Sequence, residues 1–195
     1  MCGCGRITAL NNSTNRDLEE TYIFICKKET SQRLLVYGAC GMENKIIIAE
    51  TERLILRRYK KEDIQDLFEY LSDEEVVKYE PYKPQTFNET KENLEWRIGT
   101  DEMIAVELKN SHKMIGNVYM GKRDFEALEI GYVFNRNYWG YGYAAESCKA
   151  LIEQAFYNGI HRIYAECDPN NKSSWKLLET LGLGSHSAYI LCMPL

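Results

Sequence analysis

The stretch Asn135-Arg136-Asn137-Tyr138-Trp139-Gly140-Tyr141-Gly142-Tyr143-Ala144 decides how this chain is read. A strand ends, two glycines alternate with aromatic residues, and a helix begins at once. Glycine lets backbone N–H groups come close to a ligand. A helix N-terminus adds unpaired donors and the positive end of a dipole. Together they suit a pyrophosphate, although G-x-G alone also fits an ordinary strand-to-helix turn. No Gly-Lys-Ser/Thr follows, so the segment is not a Walker A loop. Position 145 is Ala, so the third glycine of a dinucleotide fingerprint is missing, and no acidic strand end follows about 20 residues on.

Outward from that turn the pattern is regular. Downstream, Ala144, Ala145, Cys148, Leu151, Ile152, Ala155 and Phe156 fill one face of a helix that Asn158-Gly159 stops. Arg162–Cys167 follows as a strand, then Asn171–Leu181 as a helix closed by Gly182. Upstream lies the strand Ala127–Phe134, preceded by a hairpin of Met103–Leu108 and Met114–Met120 around Asn110-Ser111-His112. Helices are expected from Asp63 to Leu71, from Glu74 to Tyr79 behind a Ser72-Asp73 cap, and from Asn88 to Ile98. Glu52–Tyr59 reads as the first strand. This order implies a mixed α/β (α+β) layer sandwich. Residues 1–41 are unlike the rest: an atypical N-terminal extension, either poorly ordered or a short hairpin of Tyr22–Cys26 and Arg33–Tyr37. The regular domain is placed at residues 42–195.

Composition narrows the function. The 195 residues amount to about one domain. With 24 basic against 29 acidic residues the chain carries a formal charge of −5, which argues against nucleic acid as a partner, since phosphate neutralisation needs a basic field. No apolar run reaches the roughly 18 residues of a membrane span. The start Met1-Cys2-Gly3-Cys4-Gly5-Arg6 lacks the order of a signal peptide, so a cytoplasmic location is expected. The seven cysteines are scattered and read as reduced thiols. Cys2 and Cys4 have one residue between them rather than the spacing of a zinc knuckle, and no metal site is expected.

The chain from about residue 46 to 183 resembles the GNAT superfamily of acetyl-CoA-dependent N-acetyltransferases, in its RimJ/RimL-like branch. The resemblance is carried by Thr51-Glu52-Arg53-Leu54-Ile55-Leu56-Arg57, Ile115-Gly116-Asn117-Val118 and Glu129-Ile130-Gly131-Tyr132. It continues in Tyr138-Trp139-Gly140-Tyr141-Gly142-Tyr143-Ala144 with Glu146, then Asp168-Pro169-x-Asn171-x-x-Ser174 and Leu181-Gly182. It implies a central, mostly antiparallel sheet flanked by helices, with acetyl-CoA as the acetyl donor. Trp139, Gly140, Tyr141, Gly142, Tyr143 and Ala144 would bind the coenzyme pyrophosphate through backbone amides. Tyr132, Val133 and Phe134 would pair with the pantetheine arm, and an amide near Val133 or Phe134 would meet the oxyanion. Asn171 would hydrogen-bond the coenzyme, or simply cap its helix.

Ser174 matches the helix Ser near the thioester sulfur. A Tyr seven residues after that Asn, which protonates the thiolate in many relatives, is Leu178 here, leaving Ser174 or a water. Glu129 is the leading base, with pairing to a neighbouring cation as its ordinary role. The Gln or Arg that often precedes the first glycine by three positions is Asn137; Arg136 lies beside it, as a phosphate contact or a solvated charge. Tyr79, Tyr82, Phe87 and Trp96 either line an acceptor pocket or fill core. After Leu183 the family continues into a hairpin; here Ala188–Met193 offers one short strand. The implied reaction is direct transfer, in a ternary complex, to a protein N-terminus or a small-molecule amine, by a monomer or homodimer. The alternative is a non-catalytic acyl-CoA-binding or regulatory module with the same fold.

Overall fold

A computed structural model describes residues 47–123 and 127–183, and the backbone of 188–192. The expected hairpin of Tyr22–Tyr37, the pair Cys2 and Cys4, and the domain boundary at residue 42 lie outside the described residues.

Seven strands form one sheet in sequence order: β1 Ile47–Glu50, β2 Leu54–Arg57, β3 Met103–Leu108, β4 Met114–Arg123, β5 Ala127–Phe134, β6 Arg162–Cys167 and β7 Ala188–Cys192. The first four pairings are antiparallel and the last two, β5 with β6 and β6 with β7, are parallel. The helices are α1 Ile64–Leu71, α2 Glu74–Val77, α3 Phe87–Ile98, α4 Tyr143–Tyr157 and α5 Lys172–Thr180. This is the mixed, mostly antiparallel sheet with flanking helices expected from the sequence. Among the described residues one strand, β7, follows α5.

The strands differ from the sequence reading at β1, β2 and β4; β2 covers only Leu54–Arg57 of the expected Glu52–Tyr59. β1 was not foreseen: Ile47-Ile48-Ala49-Glu50 shows no period of two that would reveal it. It folds back on β2 through a turn in which Thr51 Oγ1 accepts from the Leu54 N–H at 3.0 Å. β4 runs three residues past Met120 because Gly121, Lys122 and Arg123 pair with Glu129, Leu128 and Ala127. Their polarity hides a strand that backbone pairing supplies.

Alternation along the strands divides the interior into two layers. Leu128, Ile130 and Phe134 of β5 pack with Cys148, Leu151 and Ile152 of α4 and Leu178 of α5. Val133, on the opposite side of the same strand, packs with Leu67, Tyr70 and Leu71 of α1 and Leu94 of α3. α2 and α3 each start at a side-chain cap. Asp73 accepts from the Glu75 N–H at 3.0 Å ahead of α2. Thr86 and Glu89 form a reciprocal capping box ahead of α3.

The second layer, on the α1/α3 side, is anchored by a buried ion network. Arg57 donates to Asp63 at 2.7 and 2.8 Å and to Glu107 at 2.6 Å, and His112 Nδ1 lies 2.9 Å from the same Glu107. Burial would raise the Glu107 carboxyl; the contacts with His112 and Arg57 outweigh it and hold it below its ordinary range.

Candidate active site

The site begins where two parallel strands part. β5 pairs with β6 only over Ala127, Leu128 and Glu129, while β5 stays paired with β4 as far as Phe134. From Ile130 onward β5 therefore has an edge without a β6 partner. The Asn135 N–H donates to Ile115 C=O of β4 at 2.9 Å. By strand alternation the backbone groups of Val133 point the same way, and those of Tyr132 and Phe134 point into the opening. One of them is occupied: Trp139 Nε1 donates to the Phe134 C=O at 2.7 Å. The N–H and C=O of Tyr132 and the N–H of Phe134 remain for an extended ligand. Of the two amides considered for an oxyanion, Phe134 is the one facing the opening.

The glycine turn closes one end. Gly140 and Gly142 both have φ of +81°, a left-handed conformation that costs an L-residue about 1–2 kcal/mol. A Cβ on Gly140 would meet nothing within 4 Å, and one on Gly142 only Arg53 Nη2 at 3.6 Å. Glycine is thus required here by the backbone angle, and the space in front of it stays open. Gly142 is also the N-cap of α4 and has no side chain to cap with. The N–H groups of Tyr143, Ala144 and Ala145 precede the first residue that can find an acceptor within the helix. They present an anion site.

The loop is held in place from β2. Arg53 donates from Nη1 to Tyr141 C=O at 3.0 Å, from Nε to Glu146 at 2.7 Å, and stacks 4.4 Å from the centre of the Tyr143 ring. Thr51 Oγ1 donates to Glu146 at 2.5 Å. Burial would raise the Glu146 carboxyl, yet these bonds from Thr51 and Arg53 hold it below its usual range. The sequence separated Thr51-Glu52-Arg53 from Glu146 by more than ninety positions; the fold joins them as the brace of the turn. Asn135 does related work, accepting from the Asn137 N–H at 3.0 Å and donating to Glu69 at 2.9 Å. Arg136 is paired with Asp73 at 3.0 Å.

At the other end, α5 leans over the opening. Asn171 is the helix N-cap, its Oδ1 accepting from the Ser174 N–H at 3.1 Å, which leaves its NH₂ group as the donor that could meet a ligand. Ser174 Oγ lies 2.8 Å from the Tyr132 hydroxyl, which also donates to the Ser174 C=O at 3.1 Å. Burial pushes the Tyr132 phenol well above its ordinary range. Sequence reasoning named only the backbone of Tyr132; its hydroxyl is a site group that the sequence did not reveal. Glu129 sits on the α1/α3 side of β5, ion-paired with Arg123, which also donates to the Tyr119 hydroxyl at 2.8 Å. The Cys148 thiol, fully buried beneath α4, is pushed up to about 12 by burial, so it is no nucleophile. Of the four aromatic residues, Phe87 and Trp96 are exposed. Tyr82 packs on the α1/α3 core and lines a groove of about 650 Å³ between α2 and the segment leading to α3.

An unpaired parallel strand edge beside an uncapped, glycine-opened helix N-terminus has the shape and the donors to suit an extended phosphate-bearing ligand. Residues 53–184 match the family model described as Acetyltransferase (GNAT) domain. The uncharacterized N-acetyltransferase YnaD of Bacillus subtilis is 33% identical over 150 residues, covering 74% of this chain and 86% of that protein. A GNAT-family acetyltransferase crystal structure from Bacillus anthracis aligns with a TM-score of 0.66 at 32% identity, over 68% of this chain and 81% of the other. A ribosomal-protein-S5-alanine acetyltransferase from Vibrio fischeri aligns with a TM-score of 0.57 at 26% identity, over 68% and 80%. The chain belongs to the GNAT acetyltransferase family and is an acyltransferase.

Proposed function

We propose that this protein transfers the acetyl group of acetyl-CoA to an amine, by direct attack within a ternary complex. The observation that carries this reading is the parting of β5 from β6, which leaves the backbone of Tyr132 and Phe134 for the pantetheine arm beside the open N-terminus of α4. In that pose the pyrophosphate lies over Trp139 to Ala144, and the Asn171 amide reaches the coenzyme from the start of α5.

The chemistry follows from what faces the thioester. The amine nitrogen attacks the carbonyl carbon, and the oxygen that becomes negative is met by the Phe134 N–H. As the C–S bond breaks, the thiolate takes a proton from Ser174 Oγ or a water, with Tyr132 hydrogen-bonded to Ser174. The amine must lose its proton before or during attack, because an α-ammonium group ionises at about 7.7–8.0 and a lysine at about 10.4. Glu129 is a candidate base, but its carboxylate is already engaged by Arg123. The structural resemblance to a ribosomal-protein-alanine acetyltransferase makes peptides with a free N-terminal alanine or serine the first acceptors to try, followed by polyamines and other small amines.

Thermal unfolding with and without acetyl-CoA, followed by assay of free thiol release with those amines, tests the reading. Acetyl-CoA at about a hundred times its dissociation constant adds about 2.7 kcal/mol. A rise in Tm together with amine-dependent thiol release is the expected result. A rise without release for any amine turns the protein into a coenzyme-binding module, and no rise in a cooperatively melting protein overturns the reading.

A further inference from the structure

Glu80 lies in the segment between α2 and α3, just after Val77, whose C=O accepts from the Glu80 N–H at 2.9 Å. It lines the groove together with Tyr82, Lys78 and Lys83. Among the described residues its carboxylate takes no hydrogen bond and no ion pair. That is unusual for a half-buried carboxylate, because burying a charge without a partner is costly. The nearest obvious partner, the buried guanidinium of Arg97 on α3, is engaged elsewhere: it donates to the Tyr59 hydroxyl at 2.9 Å and to Asn93, and its plane lies 5.4 Å from the Tyr59 ring centre.

Glu80 follows α2, which packs against β5; Asp73, the N-cap of α2, pairs at 3.0 Å with Arg136 just past the end of that strand. The same strand carries Tyr132, whose hydroxyl is 2.8 Å from Ser174 of α5. The groove therefore lies beside the strand that faces the proposed thioester.

We propose that Glu80 is the general base that takes the proton from the acceptor amine, and that the groove it lines is where the amine enters. This rests on the acetyltransferase reading above. The acceptor arrives as an ammonium ion and gives one N–H proton to the Glu80 carboxylate. The neutral nitrogen attacks the thioester carbonyl, forming the C–N bond as the C–S bond breaks. The second N–H proton leaves as the amide forms and balances the one taken up by the departing thiolate. Glu80 later returns its proton to water, so the net products are the acetylated amine, free coenzyme A thiol and one proton.

The surroundings suit this task. Burial raises the Glu80 carboxyl, with Arg97 opposing, to about 7, and a base poised near the working pH is the effective one. The groups around it are Arg97 from α3, Tyr82 and Lys83 from its own segment, Glu74, Glu75 and Lys78 from α2, Tyr59 following β2, and Tyr132 from β5. Glu75 is paired with Lys78 at 3.9 Å. Glu129, by contrast, is on β5 and held by Arg123.

The test compares the wild type with Glu80→Gln and Glu80→Asp, using acetyl-CoA and an N-terminal alanyl or seryl peptide. In the wild type, kcat/KM rises with pH through a limb near 7. In Glu80→Gln that limb disappears and the rate at pH 7 falls by about 10²-fold or more, while Glu80→Asp keeps the limb. The rise in Tm with acetyl-CoA is unchanged in both variants, since neither touches the coenzyme loop. A Glu80→Gln variant with the wild-type limb and height overturns the proposal while leaving the acetyltransferase reading intact. No Tm rise in the wild type overturns that reading instead. Carbon-13 NMR of glutamate-labelled protein, with the Glu80 signal assigned through Glu80→Gln, decides the matter if the peptides are poor acceptors: titration near 7 supports the proposal, and titration in the ordinary carboxylate range overturns it.

Discussion

The hydroxyl of Tyr132 and the Oγ of Ser174 stand 2.8 Å apart, joining β5 to α5 across the gap that opens where β5 leaves β6. Because Leu178 occupies the helix position at which many relatives carry an acid, this pair is the protonated-oxygen arrangement left beside the proposed thioester. Tyr132→Phe removes one hydroxyl and keeps the ring, so about 0.5–1.5 kcal/mol of stability is lost. The expected kinetic result is a kcat lowered by about tenfold, equivalent to roughly 1.4 kcal/mol, with the KM for acetyl-CoA little changed. Steady-state kinetics on Tyr132→Phe and Ser174→Ala check this; a variant pair with wild-type kcat removes both hydroxyls from the reaction.

Gly142 tests the coenzyme loop. Its φ of +81° makes Gly142→Ala strained by about 1–2 kcal/mol, and the added Cβ comes 3.6 Å from Arg53 Nη2. At this chain length the strain lowers Tm by about 2–8 °C. More telling, the Tm rise on adding acetyl-CoA shrinks or vanishes, because the N–H groups of the loop turn away from the phosphates.

Stability should depend on pH through Glu80. Its folded value, raised by burial to about 7, exceeds the unfolded value of about 4.3. Between those two pH values the unfolded chain has released a proton that the folded chain keeps, so stability falls as pH rises through that window. Below it both states are protonated and the effect vanishes. Glu80→Gln should therefore stabilise the protein at pH 8, by about 1–3 kcal/mol, and hardly at pH 4. Melts at the two pH values measure it; a gain equal at both contradicts the buried, unpaired carboxylate.

Arg57 should matter for folding alone. It is buried between Asp63 and Glu107, and removing one member of such a network strands the others without a partner, at about 3–5 kcal/mol. Arg57→Leu should be close to unfolded at 37 °C, or show a Tm lowered by about 6–20 °C. A urea titration showing an unchanged midpoint refutes it.

Much of the fold was legible because its signals are local. The apolar face of α4, the cap at Asp73, the left-handed glycines and the alternation in β5 each depend on a few neighbouring residues. The same is true of the turn proposed to hold the coenzyme, whose glycine spacing and helix start stand side by side in the chain. β1 escaped notice because a four-residue apolar run has no readable period, and the end of β4 escaped because Gly121 and Lys122 are strand residues only by virtue of their partners on β5.

The site was legible in part. The glycine turn from Trp139 to Ala144 and the helix start at Asn171 are written in the residue order, since backbone angles and caps are set within a turn of the chain; the roles proposed for Asn171 and Ser174 rest on the family resemblance. Three features belong to the tertiary structure alone: the brace of Thr51 and Arg53 on Glu146, the Tyr132–Ser174 hydroxyl pair, and the unpartnered Glu80 in the groove beside α2. Proximity across the sheet, burial and the resulting proton affinity are properties of three-dimensional packing. A carboxylate on a strand and one in a loop look alike in a sequence; packing sets Arg123 against Glu129, while burial raises the Glu80 carboxyl.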